Sequence, residues 1–303
     1  MTTSIRAVLI GHPVEHSRSP ELFSALAAAG GPRVDFGLED VPPGRLSAAL
    51  ARLRGGEWDA AGVTIPYKED VAALVDEVDE VAARAGSINA IVRRGRRLIG
   101  TNTDGPGFVR AAQAHLPGID LSGMPVVILG AGGAARGVSA ALKALGARVT
   151  MITRSPRRRG ELLGSLADAL VAWSDPRLIT IVRRAALVIQ ATPLGMSPHT
   201  AGLPPLPLQA LRPGQLVIDL IYTPWQTRFL ESARQRGAMG LNGWPMLVHQ
   251  AAVAVDFWIE SGAGARLQAA AQGIEARDPL RADRETQARR AETWDQRSVA
   301  CSG

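Results

Sequence analysis

Apolar residues fall along this chain in short runs separated by longer amphipathic stretches, and that alternation predicts an α/β protein. Between Ser4 and Asn102 the runs "RAVLI", "VDFGLEDV", "AAGVTI" and "INAIV" have the length and composition of strands. Helical stretches such as Glu21 to Ala29 and Leu46 to Arg54 lie between them. A second series starts at Pro125, where "PVVILG" predicts a strand, Ala134 to Leu145 a helix and "ARVTMIT" another strand. "ALVIQAT" and "QLVIDLIY" follow as later strands, so this half reads as a doubly wound, Rossmann-type domain. After a helix over Thr227 to Arg236, "GLNGWPMLVHQAAVAVDFWIESG" predicts a helix to about Glu260 that returns to the first domain.

The expected organisation is therefore discontinuous. Residues 1–104 and 240–275 make an N-terminal α/β domain, and 105–239 the Rossmann-type domain. The stretch 276–303 is rich in charge and poor in apolar residues, so it cannot bury enough surface to offset chain entropy and is expected to be disordered.

Composition narrows the setting. The chain has 303 residues, 46% hydrophobic and 20% charged, which suits two moderate cores. Its formal charge is +6, but Lys and Arg are interleaved with Asp and Glu, so an anionic small ligand is a better use of the bias than nucleic acid. Cys301 is the sole cysteine, which excludes an internal disulfide or CxxC metal site and points to a reducing, cytoplasmic compartment. The first residues read as a strand running into Gly11 and Pro13, without a signal-peptide pattern. No apolar run reaches the 18 or so residues of a membrane span. No metal is expected, and the chain is expected to be a monomer or homodimer.

Chemistry gathers in a few motifs. "VVILGAGGAARG" sets Gly130, Ala131, Gly132, Gly133 and Ala134 between a strand and a helix, where a tight turn lets a pyrophosphate approach the helix N-terminus. At the end of the next strand an NAD enzyme carries an acidic residue, but this chain has "ITRSPRRR". Thr153, Arg154, Ser155 and Arg158 offer hydroxyls and guanidinium groups suited to a 2′-phosphate, so NADP is expected.

In "EHSRSPELF", Ser17 and Ser19 are two apart, so both hydroxyls can face one carboxylate in an extended loop. Ser19 before Pro20 also has the form of a helix N-cap, and the two roles can coexist. "VTIPYK" places Thr64 and Lys68 where a strand ends, and "TNTDG" does the same for Asn102, Thr103 and Asp104. A Lys and an Asp brought together there can move a proton; taken singly, each has the form of a surface ion pair or an N-cap.

These motifs, with Asn89 in "GSINAI", "ATPLGM", Tyr222 in "DLIYTPWQT" and Gln250 in "NGWPMLVHQAA", occur in the order and spacing of the shikimate dehydrogenase family, which the chain resembles over about residues 5 to 260. The resemblance implies an NADP-dependent reduction of 3-dehydroshikimate to shikimate, in the biosynthesis of aromatic amino acids. It implies that Ser17 and Ser19 bind the substrate carboxylate, that Thr64, Asn89, Asp104 and Gln250 hold ring hydroxyls with Tyr222 nearby, and that Lys68 and Asp104 transfer the proton. It assigns the glycine loop and "TRS" to the NADP phosphates and ribose, with Thr192 in "ATPLGM" among the cofactor residues and Leu220 and Gly243 at the nicotinamide end. The chain departs from the family pattern at Gly62, where Asn is usual, and at "SPELFS" and "TRS". The alternatives are a quinate or aminoshikimate dehydrogenase using NAD, and a nucleotide-sensing relative without turnover.

Overall fold

In a computed structural model, which describes residues 4–156, 163–259 and 262–275, the apolar runs become the strands of two separate six-stranded sheets. The stretch expected to be disordered lies outside the described residues. Contacts divide the chain into two compact units, one running to Phe108 and resuming at Leu247, the other running from Val109 to Met246.

The first unit holds β1 (Ser4–Gly11), β2 (Arg33–Asp40), β3 (Ala60–Val63), β4 (Glu77–Val78), β5 (Ala90–Arg94) and β6 (Arg97–Thr101), in the order β2-β1-β3-β5-β6-β4. β2, β1 and β3 run parallel, then β5 runs antiparallel to both β3 and β6. The reversal is local: β5 and β6 form a hairpin at Gly95, whose φ of 63° suits glycine. Because β5 runs backwards, its start lies at the same sheet edge as the ends of β1, β3 and β6. Val8, Ile10, Ala61, Ile91 and Leu98 form one core with Leu46, Leu50 and Leu53 of helix Leu46–Gly55. Each such large side chain contributes about 1.5–3 kcal/mol on burial.

The second unit holds β7 (Pro125–Leu129), β8 (Arg148–Thr153), β9 (Ala169–Ala172), β10 (Leu187–Gln190), β11 (Leu216–Asp219) and β12 (Met239–Leu241). The order is β12-β11-β10-β7-β8-β9 and every pairing is parallel, so counted from β7 it is the 3-2-1-4-5-6 arrangement of the doubly wound fold. Strands β10 and β11 are buried along their whole length, as expected of a sheet covered on both faces. Val127, Leu129 and Ile152 pack with Val182 and Phe229 in one core, while helix Gly133–Ala144 lies against β7 and β8. The order places the sheet's change of direction between β7 and β10, where ligands bind in such folds.

Helix starts refine one expectation. Helix Ser19–Ala28 begins at Ser19 itself; Arg18 occupies the cap position without a side-chain cap bond, and the Ser19 N–H donates to Ser17 Oγ at 3.3 Å. Ser19 therefore does not cap the helix, and its hydroxyl is left for other partners. By contrast Thr227 caps helix Arg228–Gln235, accepting from the Leu230 N–H.

Helices Asp104–His115 and Trp244–Ile259 meet through glycine. A Cβ on Gly107 would lie 2.6 Å from the backbone nitrogen and Cβ of Gln250, too close for any side chain. Gly107→Ala is expected to cost about 1–3 kcal/mol by overpacking. An unchanged urea midpoint in that variant would mean that the two helices do not approach so closely.

Candidate active site

At the carboxyl edge of the first sheet, the loops after β3 and β6 and the turn before β5 bring together residues distant in sequence. Lys68, on the turn that follows β3, donates from Nζ to Asp104 Oδ2 at 2.6 Å. Asp104 opens helix Asp104–His115, where the helix dipole favours an acidic side chain. The pair is withdrawn from water, with side-chain exposures of 12% for Lys68 and 5% for Asp104.

Asn89 sits immediately before β5 and links this pair to its surroundings. Its Nδ2 donates to Asp104 Oδ1 at 3.0 Å and to Thr103 Oγ1 at 2.9 Å, and lies 3.3 Å from Gln250 Oε1. Its Oδ1 accepts the Thr103 N–H at 2.6 Å. Thr103 Oγ1 donates to Gln250 Oε1 at 3.1 Å, and Gln250 Nε2 donates to the Leu247 carbonyl. Four of the residues singled out by sequence, Lys68, Asn89, Asp104 and Gln250, thus share one hydrogen-bonded cluster with Thr103. Asn102 supports it from behind, donating to Ser87 and accepting from the Gly105 N–H.

Ser17 and Ser19 form a separate pair, with Ser17 Oγ donating to Ser19 Oγ at 3.2 Å. Thr64 is half-buried at the end of β3, and its methyl group lies against Gly11 at the end of β1, leaving no room for a Cβ there. Tyr222 belongs to the second unit, on the segment after β11.

In the second unit, the glycine loop lies between β7 and helix Gly133–Ala144. Gly130 has a φ of 109°, and a Cβ there would lie 3.0 Å from the Ala191 carbonyl and 3.2 Å from Thr192 Cγ2. Gly132 holds the cap position without a side-chain cap, so the helix start presents backbone rather than a side chain. Gly243 packs directly on the Leu220 carbonyl, and its N–H donates to the Ile221 carbonyl at 3.0 Å. These glycines let neighbouring loops pack directly on main chain, and a glycine turn that opens onto an uncapped helix start fits a dinucleotide.

Thr153 is buried at the end of β8, while Arg154 and Ser155 are exposed. No carboxylate occupies "TRS". Arg158 lies outside the described residues. The Arg154 guanidinium lies 5.8 Å from the centre of the Trp173 ring, a cation–π contact that orients it. No motif sets Trp173 beside Arg154; only the pairing of β8 with β9 brings it alongside.

Asp219, at the end of β11, is fully buried and accepts from the Ile221 N–H at 3.0 Å and from Thr227 Oγ1 at 2.6 Å. Burial pushes its carboxyl up to about 7, against the smaller opposing effect of those two hydrogen bonds.

Among the described residues no helix is long and apolar enough to cross a membrane, and no cluster of three potential metal ligands occurs.

Residues 9–91 match the model of the shikimate dehydrogenase substrate binding domain. The shikimate dehydrogenase (NADP(+)) of Moorella thermoacetica is 44% identical over 257 residues, 82% of this chain and 86% of that protein. The chain belongs to the shikimate dehydrogenase family. Among solved structures, the Thermus thermophilus shikimate 5-dehydrogenase in complex with shikimate aligns with a TM-score of 0.74 at 34% identity, covering 88% of this chain and 98% of that one. A quinate dehydrogenase from Corynebacterium glutamicum in complex with NAD aligns at 0.76 but at 28% identity, covering 90% and 100%. Backbone likeness therefore does not separate the substrates of this family; side chains must.

Asp219 makes a pH prediction. The native carboxyl keeps its proton up to about pH 7, whereas an unfolded one releases it near the ordinary 3.8. Between those values the unfolded state holds fewer protons, so this group lowers stability as pH rises, and above about 7 the loss is complete. The thermal midpoint of Asp219→Asn, relative to the parent, is expected to climb between pH 4 and 7 and then level off. A difference independent of pH would show that the carboxyl titrates normally.

Proposed function

We propose that this chain is an NADP-dependent shikimate dehydrogenase that reversibly reduces 3-dehydroshikimate to shikimate. The observation that carries the reading is the buried Lys68–Asp104 pair, bonded at 2.6 Å inside a cluster of hydroxyl- and amide-bearing side chains. Such a set suits a ring bearing several hydroxyls next to a carbon whose oxygen gains and loses a proton. Curated relatives at 33–44% identity carry the name shikimate dehydrogenase (NADP(+)), which favours this substrate and cofactor over the quinate and NAD alternatives.

Ser17 and Ser19 donate to the substrate carboxylate, and Thr64, Asn89 and Gln250 hold ring hydroxyls. A nicotinamide cofactor bound there would supply the hydride to the ring carbon during reduction and would accept it during oxidation. During reduction the Lys68 ammonium gives its proton to the C3 oxygen as negative charge builds there; during oxidation the Lys68 amine accepts that proton. Asp104 keeps the ammonium aimed and balances its charge. Burial sharpens both effects, because water no longer competes for the groups.

On the cofactor side, the backbone from Gly130 to Ala134 takes the pyrophosphate, and Thr153, Arg154, Ser155 and Arg158 take the 2′-phosphate and its ribose. Thr192, Leu220 and Gly243 line the nicotinamide end. The expected setting is the cytoplasm, as a monomer or homodimer.

An assay of NADPH or NADH formation at 340 nm, with shikimate, quinate and aminoshikimate each paired with NADP and NAD, tests substrate and cofactor together. Shikimate with NADP is expected to have the highest kcat/KM, and binding of nucleotide without turnover of any pair would support the sensing alternative.

For the proton relay, Lys68→Ala is expected to lower kcat by about 10² to 10⁴ with a smaller change in KM. Asp104→Asn also lowers kcat, and the double variant should be little worse than the poorer single one, because residues acting as a unit are not additive. Near-normal turnover in both single variants would reduce the pair to a structural salt bridge.

For the cofactor, Arg154→Ala is expected to weaken NADP binding by about 1.5–3 kcal/mol, the range for a hydrogen bond to a charged group, and NAD binding far less. Equal losses for the two nucleotides would remove Arg154 from the 2′-phosphate.

A further inference from the structure

Two neighbouring strands of the second sheet end alike. β10 reads Leu-Val-Ile-Gln and β11 reads Leu-Val-Ile-Asp, and their register sets Gln190 beside Asp219. Both residues have no exposed surface. A polar side chain so deeply buried requires partners, and in both cases the partners belong to the loop that leaves the strand.

Gln190 makes three such bonds. Its Nε2 donates to the carbonyls of Thr192 and Leu194, both at 3.0 Å, and its Oε1 accepts the Thr192 N–H at 2.7 Å. Asp219 makes two, from the Ile221 N–H and from the hydroxyl of Thr227, which in turn caps the next helix. The strands are tied together at the same level, where the Leu220 N–H donates to the Gln190 carbonyl at 2.9 Å. Each side chain thus folds the outgoing chain back over its own strand end. The two loops so held are the ones that Gly130 and Gly243 approach without room for a Cβ.

We propose that Gln190 and Asp219 are positioning residues of the cofactor site, which fix the loops 191–194 and 220–227 in the shape that receives the nicotinamide end of NADP. The inference rests on the NADP-binding function proposed above. Neither side chain reaches a ligand, since both are buried; Gln190 acts through the backbone of Thr192 and Leu194, and Asp219 through the Ile221 N–H and the Thr227 hydroxyl. A role confined to folding would lower stability and leave the affinity of the folded protein unchanged.

Calorimetric titrations of the full chain, one with NADP alone and one with shikimate alone, separate these roles. Gln190→Met keeps length and volume but loses all three bonds, and is expected to weaken NADP at least fivefold while shikimate binding stays within twofold. Asp219→Leu is expected to behave in the same way. Asp219→Asn retains an acceptor for the Ile221 N–H and should stay within twofold of the parent. Val182→Ala serves as the control for lost stability: Val182 is in the same unit, but its carbonyl accepts from Gln215, just before the start of β11, at the opposite edge of the sheet. It should lower the thermal midpoint and leave NADP affinity alone. NADP affinity within twofold of the parent in Gln190→Met overturns the inference, and so does an equal loss in Val182→Ala. Gln190→Met decides the matter by itself if Asp219→Leu does not fold. A parent protein that fails to bind NADP, or to oxidise shikimate with it, overturns the proposed function first and this inference with it.

Discussion

The salt bridge between Lys68 and Asp104 is the interaction on which the first unit's architecture converges. Two charges taken out of water cost several kcal/mol each, and their attraction offsets that only when the remaining hydrogen-bonding capacity is met. Here Asp104 sits at a helix start and accepts from Asn89, while Asn89 is held by the backbone and hydroxyl of Thr103. Removing any member leaves a buried polar group without its partner, which couples the proposed proton relay to the residues proposed to hold the ring.

That coupling requires the reversed strand. Asn89 reaches the cluster because β5 runs antiparallel and starts at the edge where β3 and β6 end. A parallel β5 would have placed it at the far edge of the sheet. Gln250 arrives on a helix from more than 140 residues further along, and it reaches Thr103 only because Gly107 lets the two helices touch. Position in this site is set by sheet direction and by the absence of a side chain as much as by the reacting groups themselves.

The second unit solves a different problem with related means. A dinucleotide is bound largely through backbone, so its site needs main chain brought close to ligand and held there. Glycines at 130 and 243 let main chain pack against the loops at Ala191 and Leu220, and polar side chains buried at the ends of β10 and β11 hold those loops in place. Asp219 accepts a raised proton affinity as the consequence of that placement.

Much of this was legible in the residues alone. Periodicity gave the two α/β halves, the glycine loop with "TRS" pointed to NADP, and the motif order carried the family resemblance, because these features are local and each motif holds its own chemistry. The sequence by itself determined which side chains were available. It could not show that Ser19 leaves the helix cap to Arg18, that Trp173 lies beside Arg154, or that Gln190 and Asp219 stand side by side. Those facts depend on strand order and register, which join residues tens of positions apart and are decided only when the whole sheet closes on its core.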